Sequence, residues 1–202
     1  MVKDKNTEER IYEAARKVFL KKGMSGARMQ EIADEAGINK ALLHYYFRNK
    51  EKLFEGILNE VIVRLSIGVK EIFGSRKDVL SKLKDFIDIY IEILLENSYL
   101  PLFVLNEMNH NPERFSEIIK NNIAIHLRNF IFQIQEEVEA GSIRACNPFH
   151  LLVNVLGLII FPFAVFPVMK NVAGEDLDSI SKTFLKERKQ EVYNFVENAL
   201  KP

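Results

Sequence analysis

Residues 29–53 read MQEIADEAGINKALLHYYFRNKEKL, and their polar side chains are spaced to grip a polyanion rather than to transform a substrate. Asn39, Lys40, Ala41, Leu42, His44 and Tyr45 follow one Gly-containing turn, and Lys50 opens the next segment. Lys40 is placed to reach a guanine edge or a phosphate. His44 and Tyr45 are expected to donate to phosphates, and Leu42 to touch a thymine methyl. Lys50 falls in the first turn of a further helix, where backbone N–H groups and the helix dipole also favour a phosphate. Phosphate contacts set register and base contacts set sequence.

Other chemistries find little support. There is no GxSxG, P-loop or HExxH, and no Cys–His pair at an informative spacing, so the chain is not expected to be an enzyme. The single Cys146 excludes an intramolecular disulfide and a Cys-based zinc site. His44 has no acid, Cys or second His at ligand spacing. Neither a metal nor a cofactor is expected.

The elements that must position these residues are helices. Ile11, Ala14, Ala15, Val18 and Phe19 mark one face of a first helix, ended at Gly23. Met29, Ile32, Ala33 and Ala36 repeat the spacing over a short second helix, stopped at Gly37. Asn39 is expected to cap a third helix and Asn49 a fourth. The second and third, joined by about three residues, have the layout of a helix-turn-helix. In it Ala33 permits a close crossing, Ile38 plugs the turn, and Leu43, Tyr46 and Phe47 anchor the recognition helix.

Helical periodicity continues over 79–96, 100–109, 112–140, 149–161 and 178–200, and no window shows sustained strand alternation. The expected fold is all-α: a three-helix DNA-binding head with its helix-turn-helix over 1–53, and a larger helical body over 54–202, to which the family resemblance given below assigns ligand binding and dimerisation.

Composition divides the same way. The 202 residues hold 28 Lys and Arg against 28 Asp and Glu. The head carries 12 bases and 8 acids, a net +4, which leaves the body at −4. A basic head on an acidic body fits a protein of which one end meets a polyanion. With 48% hydrophobic residues the chain can bury a core. The N-terminus shows no apolar leader, so a cytoplasmic location is expected.

Residues 145–169 contain no charged side chain. With Pro162 and Pro167 expected to break the helix, 149–161 falls short of the roughly 20 residues that cross a bilayer, and no membrane partner is expected.

In Ile32-Ala33, Ala36-Gly37-Ile38-Asn39-Lys40, Tyr45-Tyr46-Phe47 and Lys50-Glu51-Lys52-Leu53, the head resembles the TetR-type transcriptional regulators. The likeness covers about residues 7–55 and is only architectural beyond. It implies double-stranded operator DNA as partner and a homodimer paired through 149–166 and 178–200. It also implies a small effector, here largely apolar, that binds the body and releases the DNA. Arg28 and Met29 open the second helix, where the family often carries a Thr that binds phosphate. Phe103, Glu107, Asn122, His126, Phe130, Asn154 and Phe161 are the candidates for an effector pocket. The competing class is an all-helical interaction or membrane-associated protein without DNA binding.

Overall fold

The computed structural model describes residues 5–97, 101, 104–105, 108–109, 112–173 and 177–202, and what it describes is helical. The chain opens with α1 (Lys5–Gly26), α2 (Met29–Glu35), α3 (Lys40–Tyr46) and α4 (Lys50–Gly74). The body adds α5 (Val79–Glu96), α6 (Pro112–Asn122), α7 (Ala124–Glu139), α8 (Pro148–Ala173) and α9 (Leu177–Leu200).

Two apolar cores result. In the head, Ile11, Ala15 and Phe19 of α1 close on Ile32 and Ala33 of α2, Leu43 of α3, and Leu53, Phe54 and Ile57 of α4, all fully buried. Gly23 interrupts α1 with φ 69 and ψ 173, so the regular part of the helix ends at the expected glycine. In the body, Val69 and Phe73 of α4 meet α5, Phe130 and Ile134 of α7, Leu151, Val155 and Ile159 of α8, and Val192 and Val196 of α9. Because α4 feeds both cores, the expected division at residue 53 falls inside this helix. Leu53, Phe54, Ile57 and Leu58 join the head core, with Ile62 and Leu65 packed against it, and Val69 and Phe73 join the body core.

Two expectations about the body are corrected. The helix expected over 112–140 is two, parted at Ile123 with φ −131 and ψ −13. Asn121 and Asn122 precede the break, and Asn competes with a helix by bonding nearby backbone groups. The second correction concerns α8, which runs 26 residues, through both Pro162 and Pro167. A helical proline leaves the carbonyl four residues back without a donor. That carbonyl, Leu158 O, accepts instead from Arg188 of α9, at 3.2 Å from Nη2 and 3.4 Å from Nε. The orphaned acceptor has thus been turned into a tie between α8 and α9. The helix expected over 100–109 lies largely outside the described residues.

This tie makes a first prediction. Arg188→Met should cost about 1–2 kcal/mol of stability, the usual loss when a carbonyl forfeits a charged donor. In a Pro162→Ala background the restored N–H supplies the donor, so the same change should cost less than half as much. Urea denaturation of the four chains measures the coupling. Equal costs in both backgrounds would mean that the Leu158 carbonyl is not what Arg188 serves.

The length of α8 also removes one ground for setting a membrane aside. Its 18-residue window Pro148–Val165 is long and apolar enough to cross one, and only 33% of that window is buried. Buried Leu151, Val155, Ile159 and Phe163 face the core, while Phe149, Val153 and Phe161 are about two-thirds exposed. His150 and Asn154 share the outward side. The apolar residues of α9 divide likewise, with Val192, Val196 and Leu200 inward and Phe184 and Phe195 outward.

Candidate nucleic-acid interface

The third helix has seven residues and two faces. Leu43 and Tyr46, with Phe47 just after the helix, are buried, which spends one face on anchoring. Lys40, Ala41, His44 and Tyr45 are exposed together on the other face, as positions i, i+1, i+4 and i+5 of a helix must be. Leu42 lies at the margin, half-buried and packed on the head core, so less of it is free for a base than its sequence position suggests.

The turn that aims this helix is built from backbone chemistry. Gly37 takes φ 64, the left-handed conformation that costs glycine nothing. Ile38 N–H then reaches Ala33 O at 3.0 Å and Gly37 N–H reaches Asp34 O at 3.1 Å. Asn39 caps α3, its Oδ1 accepting from Leu42 N–H at 2.7 Å, and Asn49 caps α4 by accepting from Lys52 N–H at 2.8 Å. The Asn39 oxygen is thereby committed to the protein, and only its amide N–H₂ remains for DNA.

His44 and Lys50 also have partners that sequence could not supply. His44 Nδ1 stands 3.0 Å from Arg48 O. A carbonyl only accepts, so Nδ1 carries a proton and the outward Nε2 donates only when the ring is an imidazolium. Lys50 Nζ donates to Ala27 O at 3.2 Å and Ser25 O at 3.5 Å, the carbonyls that close the end of α1. One of its three N–H donors remains. At the opening of α2, Arg28 is exposed and offers no side-chain cap, while Met29 packs half-buried on the core. Met29 thus fills a packing role where a Thr would offer a hydroxyl.

Residues 11–57, the stretch that builds this geometry, match the profile described as bacterial regulatory proteins, tetR family. The head is thus similar to the TetR family over these residues. Its relatives include the HTH-type transcriptional repressor SCO4008 of Streptomyces coelicolor, 43% identical over 31% of this chain and 33% of the relative. The regulator RutR of Escherichia coli K12 is 25% identical over 70% of this chain and 66% of its own. The chain spans about a third of the length of the first such curated relatives. Among solved structures, the hemolysin II transcriptional regulator HlyIIR superposes with a TM-score of 0.61 at 22% identity, over 98% of both chains. The fold is therefore shared along nearly the whole chain, while the family profile matches only residues 11–57.

The five pocket candidates within the described residues do not converge. Phe103 and Glu107 lie outside the described residues. Phe130 is fully buried and stacks on Phe73, ring centroids 4.2 Å apart and planes within 9°, so it fills the core. His126 is half-buried beside the end of α4, Asn122 is exposed at the end of α6, and Asn154 and Phe161 face outward from α8. A shallow groove of about 400 Å³ runs between α6, α7 and α8 past Leu127, Ile131, Phe132 and Phe149. A notch of about 280 Å³ lies by Leu158, Arg188 and Phe195. Neither is lined by any of the five described candidates. Among the described residues, no three His, Cys, Asp or Glu side chains gather as a metal site.

Sequence reasoning missed the polar centre of the body. Lys82 is only 4% exposed, donates to Phe73 O at 3.0 Å and Gln133 Oε1 at 2.6 Å, and lies 5.9 Å from the Phe130 ring centroid. Gln133 passes its own N–H groups to Lys77 O and Glu137, and Glu137 accepts the N–H of Val79 at 3.0 Å. Burial pushes the Lys82 pKa down, against the pull of Glu137 and Asp78. The spacing of α5 does place position 82 on its apolar face with Val79, Leu83 and Phe86, a signal that was available.

Proposed function

We propose that this chain is a DNA-binding transcription regulator of the TetR type, a repressor that holds a palindromic operator as a homodimer. The observation that carries the proposal is α3 itself, pinned by Leu43, Tyr46 and Phe47 and exposing Lys40, Ala41, His44 and Tyr45 on its free side. A relative named as a repressor, SCO4008, is 43% identical over 31% of this chain, which supports the reading. The protein acts in the cytoplasm and has no catalytic role. The outward side of α8 with Phe184 and Phe195 of α9 forms the dimer face, since a second copy covers apolar surface and also accommodates His150 and Asn154. A small, largely apolar effector binds the body and favours the arrangement that does not fit DNA, which requires tighter binding to that arrangement.

The test is a gel shift with DNA from upstream of the chain's own gene over a series of salt concentrations. Specific binding is expected to weaken steeply with salt. Lys50→Ala should weaken all DNA sequences alike and lower the log–log salt slope by about 0.9, the share of one phosphate. An unchanged slope would remove Lys50 from the phosphate contacts, and absence of any specific shift at low salt would overturn the DNA-binding proposal. Thermal-shift screening of small apolar compounds, followed by the same shift with hits, tests the effector. Dimers in detergent-free sedimentation would rule against a membrane as the cover of α8.

A further inference from the structure

At the C-terminus of α2 the Ala36 carbonyl is met from outside the turn. The bonds from Ile38 and Gly37 satisfy Ala33 O and Asp34 O, but the Ala36 carbonyl, at the cap itself, takes part in neither. It is met from α1, where Arg10 Nη2 donates to it at 2.7 Å across 26 residues of sequence. A Cβ added to Gly37 would stand 3.3 Å from the same nitrogen, so the guanidinium lies directly against the turn. At the other end of α2, Lys50 of α4 holds Ala27 O just before the helix begins. The first helix of the motif is thus gripped at both ends by cations from its neighbours.

We propose that Arg10 is a positioning residue for DNA recognition. By holding the Ala36 carbonyl it fixes the turn between α2 and α3, and so the angle at which α3 presents Lys40, His44 and Tyr45, without touching DNA. The inference rests on the DNA-binding function proposed above. A charged donor suits the task because charge-assisted bonds are roughly twice as strong as neutral ones. Base contacts need groups held to within about 0.5 Å. Phosphate attraction is long-ranged and forgiving. Loosening this turn should therefore reduce discrimination between sequences and leave general attraction to DNA intact.

Full-length Arg10→Met and Arg10→Lys test this with two readouts. Without DNA, amide exchange at Gly37 and Ile38 should rise about tenfold in Arg10→Met, the scale of one lost charged hydrogen bond. It should stay within about threefold of wild type in Arg10→Lys, whose ammonium still donates. With DNA, Arg10→Met should lose about tenfold in the ratio of affinities for upstream and unrelated DNA, at an unchanged salt slope. A slope lower by about 0.9 would place the guanidinium on a phosphate and overturn the proposal. So would an unchanged ratio in a variant that is fully folded at the assay temperature, because a merely structural role lowers the melting temperature and nothing more. A wild-type chain with no preference for upstream DNA would overturn the DNA-binding function itself, before any variant is compared.

Discussion

Phe161→Glu is expected to leave the chain folded and make it monomeric, and thereby to weaken operator binding by about a hundredfold or more, the scale on which linking two sites raises avidity. Phe161 is 65% exposed in the single chain, so replacing it disturbs no core contact. It lies on the outward side of α8 with Phe149 and Val153, a side that the fold leaves uncovered. In a two-fold dimer the same patch is used twice, so one substitution places two carboxylates in the interface. An unpaired buried charge costs about 3–5 kcal/mol, enough to dissociate most dimers at micromolar concentration. Ile67→Glu is the control: Ile67 is 54% exposed but belongs to α4, and that variant should remain dimeric. Light scattering after gel filtration reads the mass, and the gel shift reads the consequence. A dimeric Phe161→Glu chain would mean that this side of α8 is not the interface.

The head was legible because its determinants are local. The period of 3.6 residues separates Leu43, Tyr46 and Phe47 from Lys40, His44 and Tyr45, and one glycine with φ 64 marks the turn. What stayed hidden is whatever depends on a distant partner. Nothing in the sequence ties Arg10 or Lys50 to the backbone carbonyls, 26 and 23 residues away, to which the fold brings them. Pro162 looks like the end of a helix because the rule considers only its own helix, whereas Arg188 of α9 supplies the missing donor. The pocket candidates were ambiguous for a related reason. An aromatic side chain suits a core as well as a cavity, and only the stacking on Phe73 shows which of the two Phe130 serves.

Lys82 is the case in which burial, charge and pH can be separated by measurement. Lys82→Met keeps the length and apolar stem of the side chain but removes the donor to Phe73 O and Gln133 Oε1. Gln133 cannot turn its N–H₂ to compensate, because that group is engaged with Lys77 O and Glu137. Buried acceptors left without donors cost about 1–3 kcal/mol each, while loss of the buried charge returns part of this. A net destabilisation of about 2 kcal/mol is expected, read by urea denaturation at neutral pH. The pH dependence follows from the lowered pKa of Lys82 against its ordinary 10.5. Where the folded pKa is the lower one, the unfolded chain binds the proton more tightly, so stability rises with pH as the group titrates. The cost of burying the ammonium is fully present at neutral pH and is relieved between the folded pKa and 10.5. A neutral amine still has two N–H groups for its two acceptors, so the bonds survive the loss of charge. The stability deficit of Lys82→Met should therefore widen from pH 7 into the alkaline range, with groups common to both chains cancelling in the difference. A deficit that narrows would mean that Lys82 is held chiefly by its charge, through Glu137. No deficit at all would show that the bonds binding α4, α5 and α7 at this point contribute nothing net to the fold.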